Sequence, residues 1–146
     1  MENKYEILII KIIPVVLYLI AGAVSLVMAF KILTARRFLP FHENAAGVSW
    51  DDIQKPLQLV ILALLKLNGA GFLLCAVLLG VFPAVNFFAP SGFYRFAAPA
   101  AALIFCSWLF IVNYGLYRKT KSQTPWKGSL YAAIMIIAGI VISVFW

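Results

Sequence analysis

Acidic side chains are scarce in this sequence: only 5 of its 146 residues are Asp or Glu. Histidine occurs at 1 position and cysteine at 2. Three of the acids, Glu43, Asp51 and Asp52, share one polar stretch, and the long apolar runs carry none. That excludes a proton relay of carboxylates inside the apolar body. A HExxH helix, a CxxC pair, a nucleophile elbow and a Gly-rich phosphate loop are all missing. With them go the spacings that hold a metal, a redox pair, an acyl-transfer nucleophile or a nucleotide. The sequence therefore assigns no catalytic residue, no metal and no cofactor. Charge of either sign is thin, at 12% of residues, and a soluble domain of this size needs far more polar surface.

What is present is apolar. Hydrophobic residues make up 64% of the chain, and the mean hydropathy is +0.99. Four uncharged stretches, 12–30, 67–94, 96–117 and 128–146, each reach the roughly 18–20 residues that cross a hydrocarbon core. The expected fold is an all-α membrane protein, a single four-helix transmembrane bundle in up-down-up-down order, with helices near 5–33, 56–82, 96–117 and 126–146. Pro83 and Pro90 are expected to mark the exit of the second helix and an outer loop. The first apolar run is too long for a secretory signal, and Ala21-Gly22-Ala23 reads as a packing surface rather than a cleavage site.

The net charge of +7 matters through its distribution. Arg36, Arg37 and Lys55, with Lys31 at the edge, fall in the first connection, and Arg118, Lys119, Lys121 and Lys127 in the third. The second connection has only Arg95, and the tail before the first helix has Lys4. The positive-inside rule then places the first and third connections in the cytoplasm and both termini outside. Arg36, Arg37, Arg118, Lys119 and Lys121 serve as topology signals and contacts to anionic headgroups. Membrane lipids are the expected partners, with association into a homo-oligomer or a larger membrane complex. No soluble basic face exists to bind nucleic acid.

The first connection, 34–55, is the longest polar segment and reads as lying along the cytoplasmic membrane surface, with Phe38, Phe41 and Trp50 in the interfacial belt. Ser49 and Asp52 have capping-box spacing, which predicts a helix starting near Trp50. Thr124 and Pro125 read as the N-cap and first residue of the last helix.

Lys66 is the sharpest feature. It interrupts the apolar run 57–82 near its middle, where Gln58 and Asn68 are the other strongly polar side chains. A charge at the centre of a span costs about 2.5–3.5 kcal/mol on insertion scales, so it faces a partner, a cavity or a route to water. Two readings follow. In one, Lys66 meets Asn113 in a cytoplasm-facing pocket that holds a phosphate, carboxylate or headgroup, with His42 and Glu43 at its mouth. In the other, it snorkels inward onto backbone carbonyls. Cys75 and Cys106 read as small apolar core residues at similar depth, and the glycines as packing points.

The segment Phe41-His42-Glu43-Asn44-Ala45-Ala46-Gly47-Val48-Ser49-Trp50, followed by Leu64-Leu65-Lys66-Leu67-Asn68-Gly69-Ala70-Gly71, resembles a pattern of small four-helix bacterial inner-membrane proteins of unknown function. The pattern is H-x-x-A-x-G-x-x-W, then a helix with Lys three residues before Gly. The resemblance implies a bacterial inner-membrane setting and four helices, and brings no activity. Trimeric glutathione-linked membrane enzymes of the MAPEG type are similar in size and helix count, but their second-helix acid has no counterpart here. The functional expectation is a non-catalytic accessory or lipid-interacting bundle. The alternative is an enzyme or carrier for an amphiphilic anion that uses Lys66.

Overall fold

The computed structural model describes residues 2–89 and 91–145. Four helices are long and apolar enough to cross a membrane. They are α1 (Glu2–Leu33), α3 (Lys55–Phe88), α4 (Ala98–Thr120) and α5 (Trp126–Val144); a short helix, α2 (Pro40–Ala46), lies between the first two. Among the described residues every regular element is helical.

The second spanning helix is longer than the sequence led one to expect. Pro83 does not end it: α3 runs through that residue to Phe88. A proline inside a helix removes one N–H and crowds the preceding turn, but membrane helices tolerate this where neighbouring elements meet the freed groups. Pro83 is buried against other helices rather than turned to solvent. The connection to α4 is correspondingly short. It is closed by the Asn86 side chain, whose Oδ1 accepts the N–H of Ser91 at 2.9 Å. A single π-helical turn, Phe93–Ala97, then leads into α4. At the far end of α4, Lys121 adopts a left-handed conformation (φ 56°), and its N–H returns to the Tyr117 carbonyl.

Two cap expectations need correction. Trp50–Asp52 forms only a 3₁₀ turn, with no side-chain bond from Ser49. Thr124 does not cap α5, which starts at Trp126 after Pro125; its hydroxyl donates instead to the Asn113 carbonyl at 2.9 Å. The expected end of the last helix at Trp146 lies outside the described residues.

The four long helices close into a ring in which α1 packs on α3, α3 on α4, α4 on α5 and α5 on α1. The α1–α3 and α4–α5 pairs are the most extensive, and α2 lies outside the ring, touching α4. The core contains Tyr18 and Ala21 of α1, Cys75 and Leu79 of α3, Ala102 and Cys106 of α4, and Ala133 and Ile136 of α5. The two cysteines are free and buried, and they approach each other across the α3–α4 contact. Large apolar side chains face outward all round, among them Phe30 (71% exposed), Leu67 (71%) and Ile104 (73%). On a water-soluble surface such patches drive association; in lipid they are the solvated face.

With lipid outside, helix association depends on close packing rather than on the hydrophobic effect. Glycine supplies it. A Cβ at Gly22 would sit 3.3 Å from the Gly80 backbone nitrogen, so α1 and α3 meet almost backbone to backbone. Gly69 receives Leu33 and Ile32 of α1, and Gly71 receives the Phe105 ring of α4. Gly139 of α5 seats the Tyr18 ring, which lies 2.5 Å from where a Cβ would be. Gly128 has nothing within 4 Å. Gly139→Ala is therefore expected to destabilise the bundle by about 1–3 kcal/mol, whereas Gly128→Ala should be neutral or slightly stabilising through helix propensity. Thermal unfolding of the two variants in detergent checks the contrast.

Candidate functional site

The end of the bundle where α1 finishes carries an open cleft of about 530 Å³, lined by Lys31, Thr34, Ala35, Arg36, Arg37, Phe38, Leu39, Pro40 and Trp50. Three of these residues are cationic and none is acidic. Lys31 lies in the last turn of α1, where a positive charge complements the helix dipole. Arg36 and Arg37 follow directly and are exposed. The remaining walls are largely apolar, with Phe38 and Trp50 packed edge to face at 5.0 Å between ring centres.

The loop beneath the cleft is held by its own side chains. Trp50 is buried, and its N–H donates to Glu43 Oε1 at 3.3 Å. Gln58, in the first turns of α3, donates through Nε2 to the carbonyls of Trp50 (2.8 Å) and Ile53 (3.0 Å). His42 Nδ1 accepts a long bond, 3.4 Å, from the Leu39 N–H at the start of α2, and the His42 ring packs on Phe41 and Phe38. Gly47 closes α2 in a left-handed conformation (φ 65°) with its N–H on the Glu43 carbonyl. His42 and Glu43 thus hold the loop, and neither lines the cleft.

Lys66 turns to the end of α1. Its Nζ donates to the Leu33 carbonyl at 2.8 Å. Leu33 is the last residue of α1, and the final carbonyls of a helix have no partner within it. Lys66 is the twelfth residue of α3, roughly 16 Å along its axis at 1.5 Å per residue. It is therefore level with the end of the adjacent span, not with the middle. Asn113 is half-buried, and its backbone carbonyl accepts the Thr124 hydroxyl. Arg118, Lys119 and Lys121 are exposed around the end of α4 and do not line the cleft. Nearby, Phe110, Tyr114, Tyr117 and Trp126 form an aromatic cluster that joins α4 to α5, and Lys127 lies over the Trp126 ring.

A second polar cluster escaped the sequence reading. Beside the middle of α1 and near the ends of α3 and α5, Tyr18, Asn86, Arg95 and Ser143 line a small cavity together with Pro14, Val15 and Pro83. Arg95 donates to the Ser143 carbonyl near the end of α5, and its guanidinium also lies over the Phe96 ring. Tyr18, Asn86 and Ser143 are at most 5% exposed. The Tyr18 hydroxyl lies beside Ser143 without reaching hydrogen-bonding geometry and is buried without a partner among the described residues. The available signal was Asn86, a strongly polar residue three positions beyond a proline that in fact lies inside a helix.

Comparison of the chain with known protein families, with curated proteins and with solved structures finds no match.

The His42 contacts carry a pH dependence. Burial lowers its pKa below the ordinary 6.5, and protonated Nδ1 cannot accept from Leu39. Because the folded value is the lower one, the contribution is fully present above about pH 6.5 and is lost as the pH falls from there through the folded value. Acidification from pH 8 to pH 5 should loosen the loop and shift Trp50 emission to the red, and His42→Gln should flatten that response.

Proposed function

We propose that this protein is a lipid-interacting, non-catalytic membrane bundle that holds an anionic lipid headgroup in the cleft at the end of α1. One observation carries the reading: Lys31, Arg36 and Arg37 converge on an open, partly apolar cleft with no acid in its lining. A phosphate-bearing headgroup fits that chemistry, because guanidinium groups offer fixed forks of donors to its oxygens. Phe38 and Trp50 match the glycerol and upper acyl region, where aromatic rings partition in membranes.

In this reading the chain is up-down-up-down, with the basic end in the cytoplasm, both termini outside and the 34–54 segment lying along the membrane surface. The pairing of Gly22 with Gly80, and of Gly69 with Ile32 and Leu33, supports opposed directions for α1 and α3. The concentration of Arg and Lys at 31–37 and 118–127 supports the orientation. The resemblance of the 41–50 and 64–71 segments supports a bacterial inner membrane. Lys66 is a structural cation here, since a backbone carbonyl already engages its ammonium group. Partners beyond lipid would be further copies of the chain or a larger complex, met through the outward apolar faces.

Native mass spectrometry from bilayer discs containing phosphatidylglycerol tests the reading. Near-surface cations contribute about 1 kcal/mol each toward anionic lipid, so the R36Q/R37Q double variant should hold the lipid roughly 30-fold more weakly. Lys66→Met should retain it. Equal retention by wild type and R36Q/R37Q, or loss in Lys66→Met alone, would contradict the assignment.

A further inference from the structure

We propose that Cys75 and Cys106 form a disulfide across the α3–α4 seam, with a quinone dissolved in the membrane as the oxidant. The two thiols lie within hydrogen-bonding reach of each other. They are 2% and 4% exposed and belong to one buried cluster with Leu79 and Ala102. The surrounding contacts set the register of the two helices. Gly71 receives the Phe105 ring, and Phe72 meets the same ring edge to face at 5.4 Å between centres. Cys106 follows Phe105 directly, and Cys75 lies one turn of α3 beyond Gly71, so the cysteines meet at one level. They are far apart in sequence, which is why no CxxC spacing marks them. Neither lines the cleft, so the proposal stands apart from the headgroup reading.

The setting selects a bond between the two sulfurs. Among the described residues no third histidine, cysteine or carboxylate joins them to make a metal site. The α3–α4 contact is the least extensive of the four in the ring, so the backbones there have room to make the small approach that disulfide geometry requires. Cys75 lies in the middle of the α3 span, between Lys66 and Asn86. An oxidant that reaches it passes through acyl chains, where an apolar quinone dissolves and charged or protein oxidants do not. In the step, the two S–H bonds break and one S–S bond forms. Two electrons and two protons pass to the quinone, which leaves as the quinol. The product fastens the helix ring at its loosest contact.

Peptide mapping of the full chain in bilayer discs tests it. The discs are exposed to a fully substituted quinone, which cannot add a thiol to its ring. The protein is then unfolded, its free thiols are blocked, and it is digested with trypsin. Cleavage after Lys66, Arg95 and Arg118 yields the peptides 67–95 and 96–118, each with one of the two cysteines. Most wild-type chains should run as monomers on a non-reducing gel and give these peptides as a disulfide-linked pair that separates on reduction. Quinol should form in step with the linked pair. Cys75→Ala, which keeps a small apolar side chain in the core, should give neither the pair nor the quinol. The peptide readout on wild type does not depend on how the variant folds. Both wild-type peptides recovered with blocked thiols after exposure would overturn the proposal, and so would a link found only between two chains.

Discussion

A helix that ends in or near hydrocarbon leaves carbonyl oxygens that water does not reach, and each unmet group there costs several kcal/mol. This bundle meets that constraint twice with a cation from the neighbouring helix. Lys66 of α3 donates to Leu33, the last residue of α1. Arg95, in the turn before α4, donates to Ser143 in the last turn of α5. The first bond lies in the α1–α3 pair, the most extensive helix contact, and the second ties the π-helical turn before α4 to α5. A hydrogen bond to a charged group contributes about 1.5–3 kcal/mol, which works against the cost of placing the charge near hydrocarbon. The cation and the open helix end thus offset one another's penalties.

The remaining architecture joins these two pairs. Tyr18 on Gly139 locks α1 to α5, and Phe105 on Gly71 locks α4 to α3. With Lys66 on a backbone carbonyl, the cations that line the cleft at that end are Lys31, Arg36 and Arg37. Their loop is kept open by internal bonds from Glu43 and Gln58, which hold Trp50 beneath the cleft. Away from that end, Tyr18, Asn86, Arg95 and Ser143 line a small polar cavity beside Pro14 and Pro83.

Much of this was legible in the amino-acid order. Hydropathy alone marks four spanning helices, since apolar length is a sufficient signal in lipid; of the glycines read as packing points, Gly69, Gly71 and Gly139 receive a neighbouring side chain, whereas Gly128 meets nothing within 4 Å. Of the two readings of Lys66, the one that sent it to backbone carbonyls matches its bond to Leu33. The misses share a cause. Pro83 was read by its local rule as a breaker, whereas the tertiary setting let α3 continue, and this hid Asn86 and the shortness of the next connection. Ser49 and Thr124 had the letters of caps, but Ser49 precedes only a 3₁₀ turn and the Thr124 hydroxyl donates to the Asn113 carbonyl. The cavity joins residues 18, 86, 95 and 143 from four elements, and no sequence window spans them.

Helix-end carbonyls met by cations across the bundle hold the two ends together, and the Lys66–Leu33 bond is where this can be read. Magic-angle-spinning NMR in phosphatidylglycerol bilayers, with ¹⁵Nζ-lysine and ¹³C-carbonyl leucine, reads the contact itself. A short Nζ–carbonyl contact present in wild type and absent in Lys66→Met is the predicted result. No such contact, together with dephasing of the Lys66 nitrogen by lipid ³¹P, would contradict it and return Lys66 to the headgroup site.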